Sequence, residues 1–474
     1  MNHSMLMRGL TLAVFAALSA CQVGHDFQLP TSASQVEWLP LQGEHAVSQP
    51  QATPINARWW EIFQDPLLSA LIDRATSDNL DLKMAGTRLA QSRAARQVVA
   101  GDRLPSVSAG GDYQRARGSS VGLLDASNKG GKSAYNLFEG GFDAFWELDL
   151  WGRVQREVEA ADASVEVADN DRRAVLLSLQ AEVARDYLQL RGVQSTLAVT
   201  RENLDASRNS LQLSRVRLGS GVATDLDVAQ AAAQVAAVEA RVPILEQRQA
   251  ALINALGLLL AQPPRALQTE LEKTVVAAPV PEAIPVGLPS ELAQRRPDIR
   301  QAQARLHAAT ASIGVAEGDF YPRIVLSGNI GFQSLQLSDF GSWGSRQFGI
   351  GPQVSLPIFE GGRLRGMLYL RQAQEQEAAF AYQQTVLRAW QEIDDSMSLY
   401  NASQLQQRKL EEAVRQNRIA LSNARQQYVA GAVDFVNVLT VQRALLATQE
   451  QWVESSNTQA LALVGLYKSL GGGW

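Results

Sequence analysis

From Val154 to Leu218 the chain has no proline and a single glycine, Gly192, and apolar residues recur there at a fixed step of seven: Leu176, Val183, Leu190, Leu197, Leu204, Leu211 and Leu218. That spacing keeps one seam turned toward a neighbour only when helices coil around each other with a left-handed twist. As one helix rising roughly 1.5 Å per residue, the stretch would span about 98 Å, far more than an ordinary globular domain needs. The ladder returns 210 residues later as Val386, Ile393, Tyr400, Gln407, Val414, Leu421 and Tyr428, with Gln407 its one polar rung. The chain therefore carries two copies of a very long coiled helix.

The same offset orders the rest of the chain. The first long helix stops at Leu218-Gly219-Ser220-Gly221, and Gly221 is matched by Gly431; glycine permits the left-handed stop a reversal requires. A return helix from Thr224 to Leu260 steps through Val228, Val235, Val242, Gln249 and Leu256, and its copy steps through Val438, Leu445, Trp452, Gln459 and Leu466. Val154–Leu260 thus reads as a helical hairpin, repeated once. Ahead of each hairpin the apolar period changes to two. Val107, Ala109, Gly111 and Tyr113 alternate within Leu104–Gln114, and Phe142, Ala144, Trp146, Leu148 and Leu150 alternate against Asp143, Glu147 and Asp149. In the second copy Ile324, Leu326, Gly328, Ile330 and Phe332 form one such run, and Phe348, Ile350, Pro352, Val354 and Leu356 the next. These are strands with one apolar and one polar face. A helix precedes each pair, over Leu67–Gly101 and Ser290–Gly318.

At the N-terminus, Arg8 followed by the apolar run Gly9–Leu18 has the layout of a signal peptide. Its end, Leu18-Ser19-Ala20-Cys21, resembles a bacterial lipobox, whose cysteine becomes the lipid-modified first residue of the mature chain. An incidental cysteine after an ordinary cleavage site is the alternative. Gln22 in place of aspartate favours, by resemblance to lipoproteins of Gram-negative bacteria, sorting to the outer membrane. The organisation is then a signal peptide over 1–20, a lipid-anchored arm over 21–66, a first repeat over 67–260, a proline-rich connector over 261–289 and a second repeat over 290–474.

Several classes are disfavoured. Cys21 is the only cysteine, so no intrachain disulfide can form. The net charge is -5 with no basic stripe, which argues against nucleic acid. His3, His25, His45 and His307 are scattered, so no metal site is expected. Asp394-Asp395 is a pair in sequence alone, since adjacent helical residues diverge. No phosphate-binding glycine loop or nucleophile–base arrangement is present, so the chain is expected not to be an enzyme such as a lipid-anchored hydrolase, and no cofactor beyond the lipid is expected. No apolar run long enough for a membrane helix follows the N-terminus, but the strands of a β-barrel barely register in hydropathy.

These elements define an α+β membrane protein with four transmembrane β-strands and two long coiled α-helical hairpins per chain. Four strands cannot close a barrel without leaving edges in lipid, so the chain must oligomerise. Three residues after the rungs stand Leu179, Asp186, Val193, Thr200, Ser207 and Ser214, then in the second copy Ala389, Ser396, Ser403, Leu410, Asn417 and Ala424. This second seam is mostly small or polar, whereas a two-stranded zipper wants both seams apolar. A hollow cylinder of helices around water fits better; the alternative is a soluble, dimerising rod or a non-conducting lipid-anchored scaffold.

With these motifs the chain resembles the outer-membrane factor family, TolC-like and within it the OprM/NodT-type lipoproteins. The resemblance runs from Cys21 to the C-terminus. It rests on the lipobox, on Arg58-Trp59-Trp60-Glu61-Ile62-Phe63-Gln64-Asp65-Pro66, on Leu288-Pro289-Ser290-Glu291-Leu292-Ala293-Gln294-Arg295-Arg296-Pro297-Asp298-Ile299-Arg300, on Phe320-Tyr321-Pro322-Arg323-Ile324 and on Leu470-Gly471-Gly472-Gly473-Trp474. It implies a homotrimer whose twelve-stranded barrel in the outer membrane continues into a periplasmic α-helical barrel. The connector over 261–289 would belong to an equatorial belt. It also implies a diacylglycerol and an N-acyl chain on Cys21, a periplasmic membrane-fusion adaptor, an inner-membrane pump of RND type and export of small molecules such as drugs, with type I protein secretion as the alternative. The resemblance places a periplasmic constriction just inside the hairpin tips, its apolar ring at Val436. The acidic gate position of some relatives falls on Thr440, a departure, and Asp434, Asp225 and Asp227 stand close enough to supply charge instead. For Asp225 and Asp434, capping of the return helices is the competing role. The candidate adaptor contact comprises Leu218, Gly219, Ser220, Gly221, Tyr428, Ala430 and Gly431.

Overall fold

The computed structural model describes residues 23–29, 50–51, 56–119, 121, 134–272, 284–285 and 295–472. Cys21, the signal peptide, most of the arm and connector, residues 288–294 and the last two residues lie outside the described residues. The chain forms two compact units. One gathers Leu89–Ala168 and Gln301–Tyr382 with the chain up to Pro30; the other gathers Thr31–Arg88, Asp169–Arg300 and Gln383–Trp474.

In chain order the elements are helices α1 (Pro66–Asp78) and α2 (Leu80–Gly101), strands β1 (Ser106–Ala116) and β2 (Tyr135–Glu147), and helices α3 (Arg153–Gly219), α4 (Asp225–Glu239) and α5 (Val242–Leu259). The second half continues with α6 (Pro297–Gly318), β3 (Arg323–Ser334), β4 (Arg346–Ser355), α7 (Arg363–Val429) and α8 (Phe435–Ser469). The two long helices α3 and α7 each contain 67 residues, and both begin and end at positions 210 apart.

Four boundaries differ from those the pattern predicts; α6, expected from Ser290, begins at Pro297, whose fixed φ suits a first helical position. The helix expected over Leu67–Gly101 is two helices, because Asn79 leaves helical space at ψ 132. Its side chain accepts from the Leu82 N–H at 2.9 Å and donates to the Leu259 carbonyl at 2.9 Å, so the break is capped rather than frayed. The return helix expected over Thr224–Leu260 is also two helices, parted at Ala240–Arg241. Pro243 explains this: within the first turn of α5 its missing N–H leaves no bond unmade, whereas inside a continuous helix it would. The strand expected over Phe142–Leu150 starts at Tyr135 and ends at Glu147. Gly140 and Gly141 pair within the sheet with Gly111 and Gly110 on one side and with Phe332 and Gly331 on the other.

The first unit carries the sheet, antiparallel throughout in the order β1-β2-β3-β4. Register brings the apolar residues together: Ala109 opposite Phe142, Phe142 opposite Ile330, Ile330 opposite Phe348. The opposite face aligns Asp112 with Glu139 and Gln333, and Asp143 with Asn329. Both faces are largely open, and Phe142, Ile330, Phe348 and Ile350 are all exposed. Edge strands β1 and β4 have no outer partner among the described residues.

The second unit holds the main core, in which Trp59, Phe63, Leu68, Leu71 and Ile72 pack with Val183, Tyr187, Leu190, Leu256, Tyr400, Leu463 and Tyr467. Each such side chain contributes roughly 1.5–3 kcal/mol by leaving water. Residues of two motifs that carry the resemblance, Arg58–Pro66 and the segment around Arg296, fasten this core. Trp59 stacks on Tyr467 at 5.3 Å. Asp65 caps α1 through the Leu67 and Leu68 N–H groups and accepts from the Tyr187 hydroxyl. Buried Arg296 donates to the Ser469 carbonyl at 2.8 Å, to both carboxylate oxygens of Asp298, and to Glu392 at 2.7 Å, tying the end of α8 to the start of α6.

Candidate functional site

The hairpin tips are built by two equivalent reversals. Gly221 and Gly431 both have positive φ, 72° and 75°, which a side chain would oppose. At each tip the glycine N–H bonds back to the last rung of its ladder, Leu218 or Tyr428, at 2.9 and 3.1 Å. The turn is therefore local and repeats with the sequence.

Beyond the glycine the two tips differ. In the first tip Thr224 caps α4: its hydroxyl accepts from the Asp227 N–H at 3.3 Å, while the Asp227 carboxylate accepts from the Thr224 N–H at 2.9 Å. This reciprocal box satisfies two donors that a helix start leaves unpaired. Asp227 is thus engaged, whereas Asp225 is exposed in the first turn and takes no part in the cap. In the second tip Asp434 occupies the capping position but its side chain makes no cap bond and is exposed. For Asp225 and Asp434 the capping role is not the one observed.

Val436 is apolar and 49% exposed, one residue into α8. Thr440 is exposed one turn further on, its hydroxyl turned inward to the Val436 carbonyl at 2.8 Å. Asp434, Val436 and Thr440 are thus all exposed, from the capping position through the first two turns of α8. The equivalent segment 210 residues earlier carries Leu226, 63% exposed, a residue that the heptad ladder skips although the offset points to it.

Of the candidate contact residues, Gly219, Ser220, Gly221, Ala430 and Gly431 are exposed and Leu218 is half-buried. Tyr428 is not part of that surface. It is 6% exposed, beside Phe435 at 5.3 Å between ring centres and under the Arg217 guanidinium at 4.3 Å. Arg217 also donates to the Val429 carbonyl at 3.5 Å, joining the two tips. Around Tyr428 lies a second apolar cluster with Val414, Leu421, Ala424, Val438 and Leu439.

The segment just after the candidate lipid attachment point is held in the first unit. The Val23 N–H bonds to the Trp151 carbonyl at 2.9 Å. Buried Arg156 donates to the Val23 and Gly24 carbonyls and to the Asp26 carboxylate, at 3.1, 3.0 and 2.9 Å. Phe27 stacks on His307 at 4.7 Å. Gly24 has φ 88°, and a Cβ there would come within 2.7 Å of the Gly314 Cα, so this approach admits no side chain.

Among the described residues no group of three His, Cys, Asp or Glu could hold a metal, and no helix is long and apolar enough to cross a membrane. A sheet with one apolar and one acidic-to-polar face, joined in sequence to paired hairpins ending in glycine reversals, defines a channel-forming membrane protein. The sequence profile of the outer membrane efflux protein family matches residues 71–262 and 288–472, and the chain belongs to that family. It is 34% identical over 424 residues to the pyoverdine export outer membrane protein OpmQ of Pseudomonas aeruginosa, covering 88% of this chain and 87% of that one. It is 32% identical over 466 residues to the outer membrane protein OprJ of the same organism, covering 98% and 95%. The solved outer-membrane channel OprN superposes with a TM-score of 0.89 at 33% identity, covering 96% of this chain and all of that one. The chain is an outer-membrane efflux channel and not an enzyme.

Proposed function

We propose that three copies of this chain close the sheet into a twelve-stranded barrel and line the hairpins into a gated periplasmic duct. The duct carries small molecules outward from an RND-type inner-membrane pump through a membrane-fusion adaptor. The observation that carries this reading is the sheet: four long strands whose apolar residues align on one face and whose two edges have no partner among the described residues. Such edges are incompatible with lipid unless another chain pairs with them. The names of relatives, which speak of pyoverdine, toluene and solvent export, support small molecules over proteins as cargo.

Cys21 carries the lipid in this reading, and the clamp of Arg156 on residues 23–26 supplies a second hold close to it. The closed end is formed by the exposed turn of α8, with Val436 as its apolar constriction, Leu226 as its counterpart on α4, and Asp434 and Asp225 as its charge. Three carboxylates around a narrow axis attract cations and repel anions. Thr440 supplies no charge, so an acidic ring at that level is absent from the mechanism. The exposed backbone of Gly219–Gly221 and Ala430–Gly431 is the adaptor surface.

Val436→Gly or Asp434→Ala loosens the closed state. Cells carrying either variant should become sensitive to large antibiotics that the outer membrane excludes, and single-channel conductance in planar bilayers should rise. Wild-type sensitivity together with wild-type conductance would reject the gate. The purified wild-type protein giving no conductance at all would reject the duct.

A further inference from the structure

The apolar face of the sheet carries a charge pattern that channel formation does not require. By register it presents Val107, Ala109 and Tyr113 from β1, Phe138, Phe142 and Trp146 from β2, the even-numbered apolar residues of β3, and Phe348, Ile350 and Val354 from β4. Two charged residues share this face, and both are arginines: Arg115, paired with Asn136, and Arg346, paired with Phe332. Both stand at the end of the sheet remote from the long helices, Arg115 near the close of β1 and Arg346 at the start of β4. The acidic residues Asp112, Glu139 and Asp143 all lie on the other face.

Aromatic groups surround the arginines at that end. The Arg346 guanidinium lies 3.9 Å from the centre of the Trp343 ring and donates to the Trp343 carbonyl, and Trp343 is 79% exposed. Phe340 turns back onto the strands, 6.1 Å from Phe332 and 3.0 Å from where a Cβ on Gly140 would sit. Tyr113 packs on Phe138 at 4.9 Å, and its hydroxyl and the Arg115 guanidinium both donate to the Asn136 side-chain oxygen. Trp146 stands at the far end of the same face. From Phe138 to Trp146 the strand covers about 26 Å at roughly 3.3 Å per residue, close to the ~25 Å apolar band of outer-membrane barrels. The cationic end therefore sits at one lipid–water interface, and because the helices leave from the other end it is the outer leaflet.

We propose that Arg115 and Arg346 bind the phosphate of an outer-leaflet lipid, with Trp343 and Phe340 packed against its apolar part. The site depends on the proposed closure of the sheet into a barrel. Pairing β4 of one copy with β1 of the next sets these two arginines at the same end of adjacent strands, the strands themselves about 4.8 Å apart. A guanidinium fork matches phosphate oxygens two at a time, and a cation over an indole at the interface keeps its head in the polar layer while the ring faces the chains. Arginine on a lipid-facing strand is tolerated near the interface and not in the apolar band, which is where this face places both.

The test uses the full-length protein in detergent micelles. It is titrated with lipid A bearing two phosphates, with the same lipid after removal of its phosphates, and with inorganic phosphate, and bound lipid is counted by native mass spectrometry. The wild type should retain the phosphorylated lipid about ten-fold over the dephosphorylated one. Arg115→Gln combined with Arg346→Gln should abolish that preference, Arg115→Gln alone should reduce it, and Arg323→Gln on the opposite face should leave it unchanged. Equal retention of the two lipids, an unchanged preference in the double variant, or displacement by inorganic phosphate would overturn the site. The same spectra report the assembly. A trimer without preference removes the lipid site and leaves the barrel. A monomer that keeps the preference overturns the site as well as the barrel closure, since within one copy the two arginines stand on opposite edges of the sheet.

Discussion

The two hairpins are one unit written twice, yet their return helices differ: α8 is buried along its length, whereas its counterpart, α4 and α5, is largely open. Helix α8 buries residues along its whole length, from Phe435 and Val438 through Gln442, Leu445 and Gln449 to Leu463 and Leu466. Its counterpart buries Ala231, Gln234 and Val238 in α4, then Ile253, Leu256 and Gly257 in α5, and is otherwise open. The cluster behind the tips is drawn almost wholly from the second hairpin. Substitution has followed burial. Where α8 begins with Phe435 against Tyr428, α4 has Asp225 against Leu218; where the second copy has Asn437, the first has Asp227 closing a capping box. One tip is held by an aromatic pair and the other by hydrogen bonds, although the glycine reversal in front of them is the same. A repeat in sequence fixes the path of the backbone and leaves the means of holding it to the local environment.

The sharpest way to break the comparison is to move the proline. Pro243 maps onto Val453, which is buried inside unbroken α8. Val453→Pro removes a helical hydrogen bond and sets the ring against the carbonyl one turn back, at a cost of about 3 kcal/mol or more plus the packing lost around a buried valine. Pro243→Ala lies in the first turn of α5, where the donor is unused, and should change stability by less than about 1 kcal/mol. Arg241, at the break, still reaches Glu450 and holds the two return helices together. Thermal unfolding followed by circular dichroism measures both; equal losses in the two variants would mean that the hairpins are energetically alike.

The tips provide a second contrast. Phe435→Ala empties a buried site and should cost about 3–5 kcal/mol of local stability. Thr224→Ala removes a cap and should cost about 1 kcal/mol. Amide hydrogen exchange across residues 425–440 and 215–230 reads the two tips separately. A larger loss at the capped tip than at the aromatic one would show that the hydrogen bonds of the box outweigh the ring pair.

The long helices, their offset and the change of period before each hairpin are plain in the sequence because each is a regular pattern sustained over many residues. What the pattern hid were single residues that interrupt it. Asn79 stops a helix whose apolar face carries on past it, and Pro243 does so while Val228, Val235 and Val242 keep step. Gly140 and Gly141 have no side chains to carry the alternation back from Phe142 to Tyr135, where the strand begins. In the site, Asp434, Val436 and Thr440 are all exposed at the start of α8, while Tyr428 is buried beneath Arg217. That burial was legible: a rung of the coiled ladder must face a partner, and Tyr428 is such a rung. Arg217 was not, since a basic residue at a helix end reads as a solvated side chain until the ring beneath it is known.

The smallest effect tests whether the polar seam of the first long helix is itself a divergence from the second. Asp186 is 7% exposed on α3, bonded to Arg185 at 3.1 Å, and Ser396 stands in its place on α7. Burial raises the Asp186 pKa above the ordinary carboxylate value; the bond to Arg185 pulls the other way and does not cancel it, and Glu182 adds to the rise. A carboxyl raised in the folded state contributes stability below its unfolded pKa and loses it as pH climbs through the folded one. At neutral pH the charged form is therefore a burden. Asp186→Ser should raise the melting temperature by about 1–2 °C near pH 7, and the gain should vanish as pH falls below the carboxylate range. The serine has a ready partner, since Ser396 donates to the carbonyl of Glu392 four residues back at 2.6 Å and residue 186 faces the carbonyl of Glu182 in the same way. A melting temperature lowered at pH 7, or a gain independent of pH, would show that Asp186 is kept for its bond to Arg185 and that the two seams were never interchangeable.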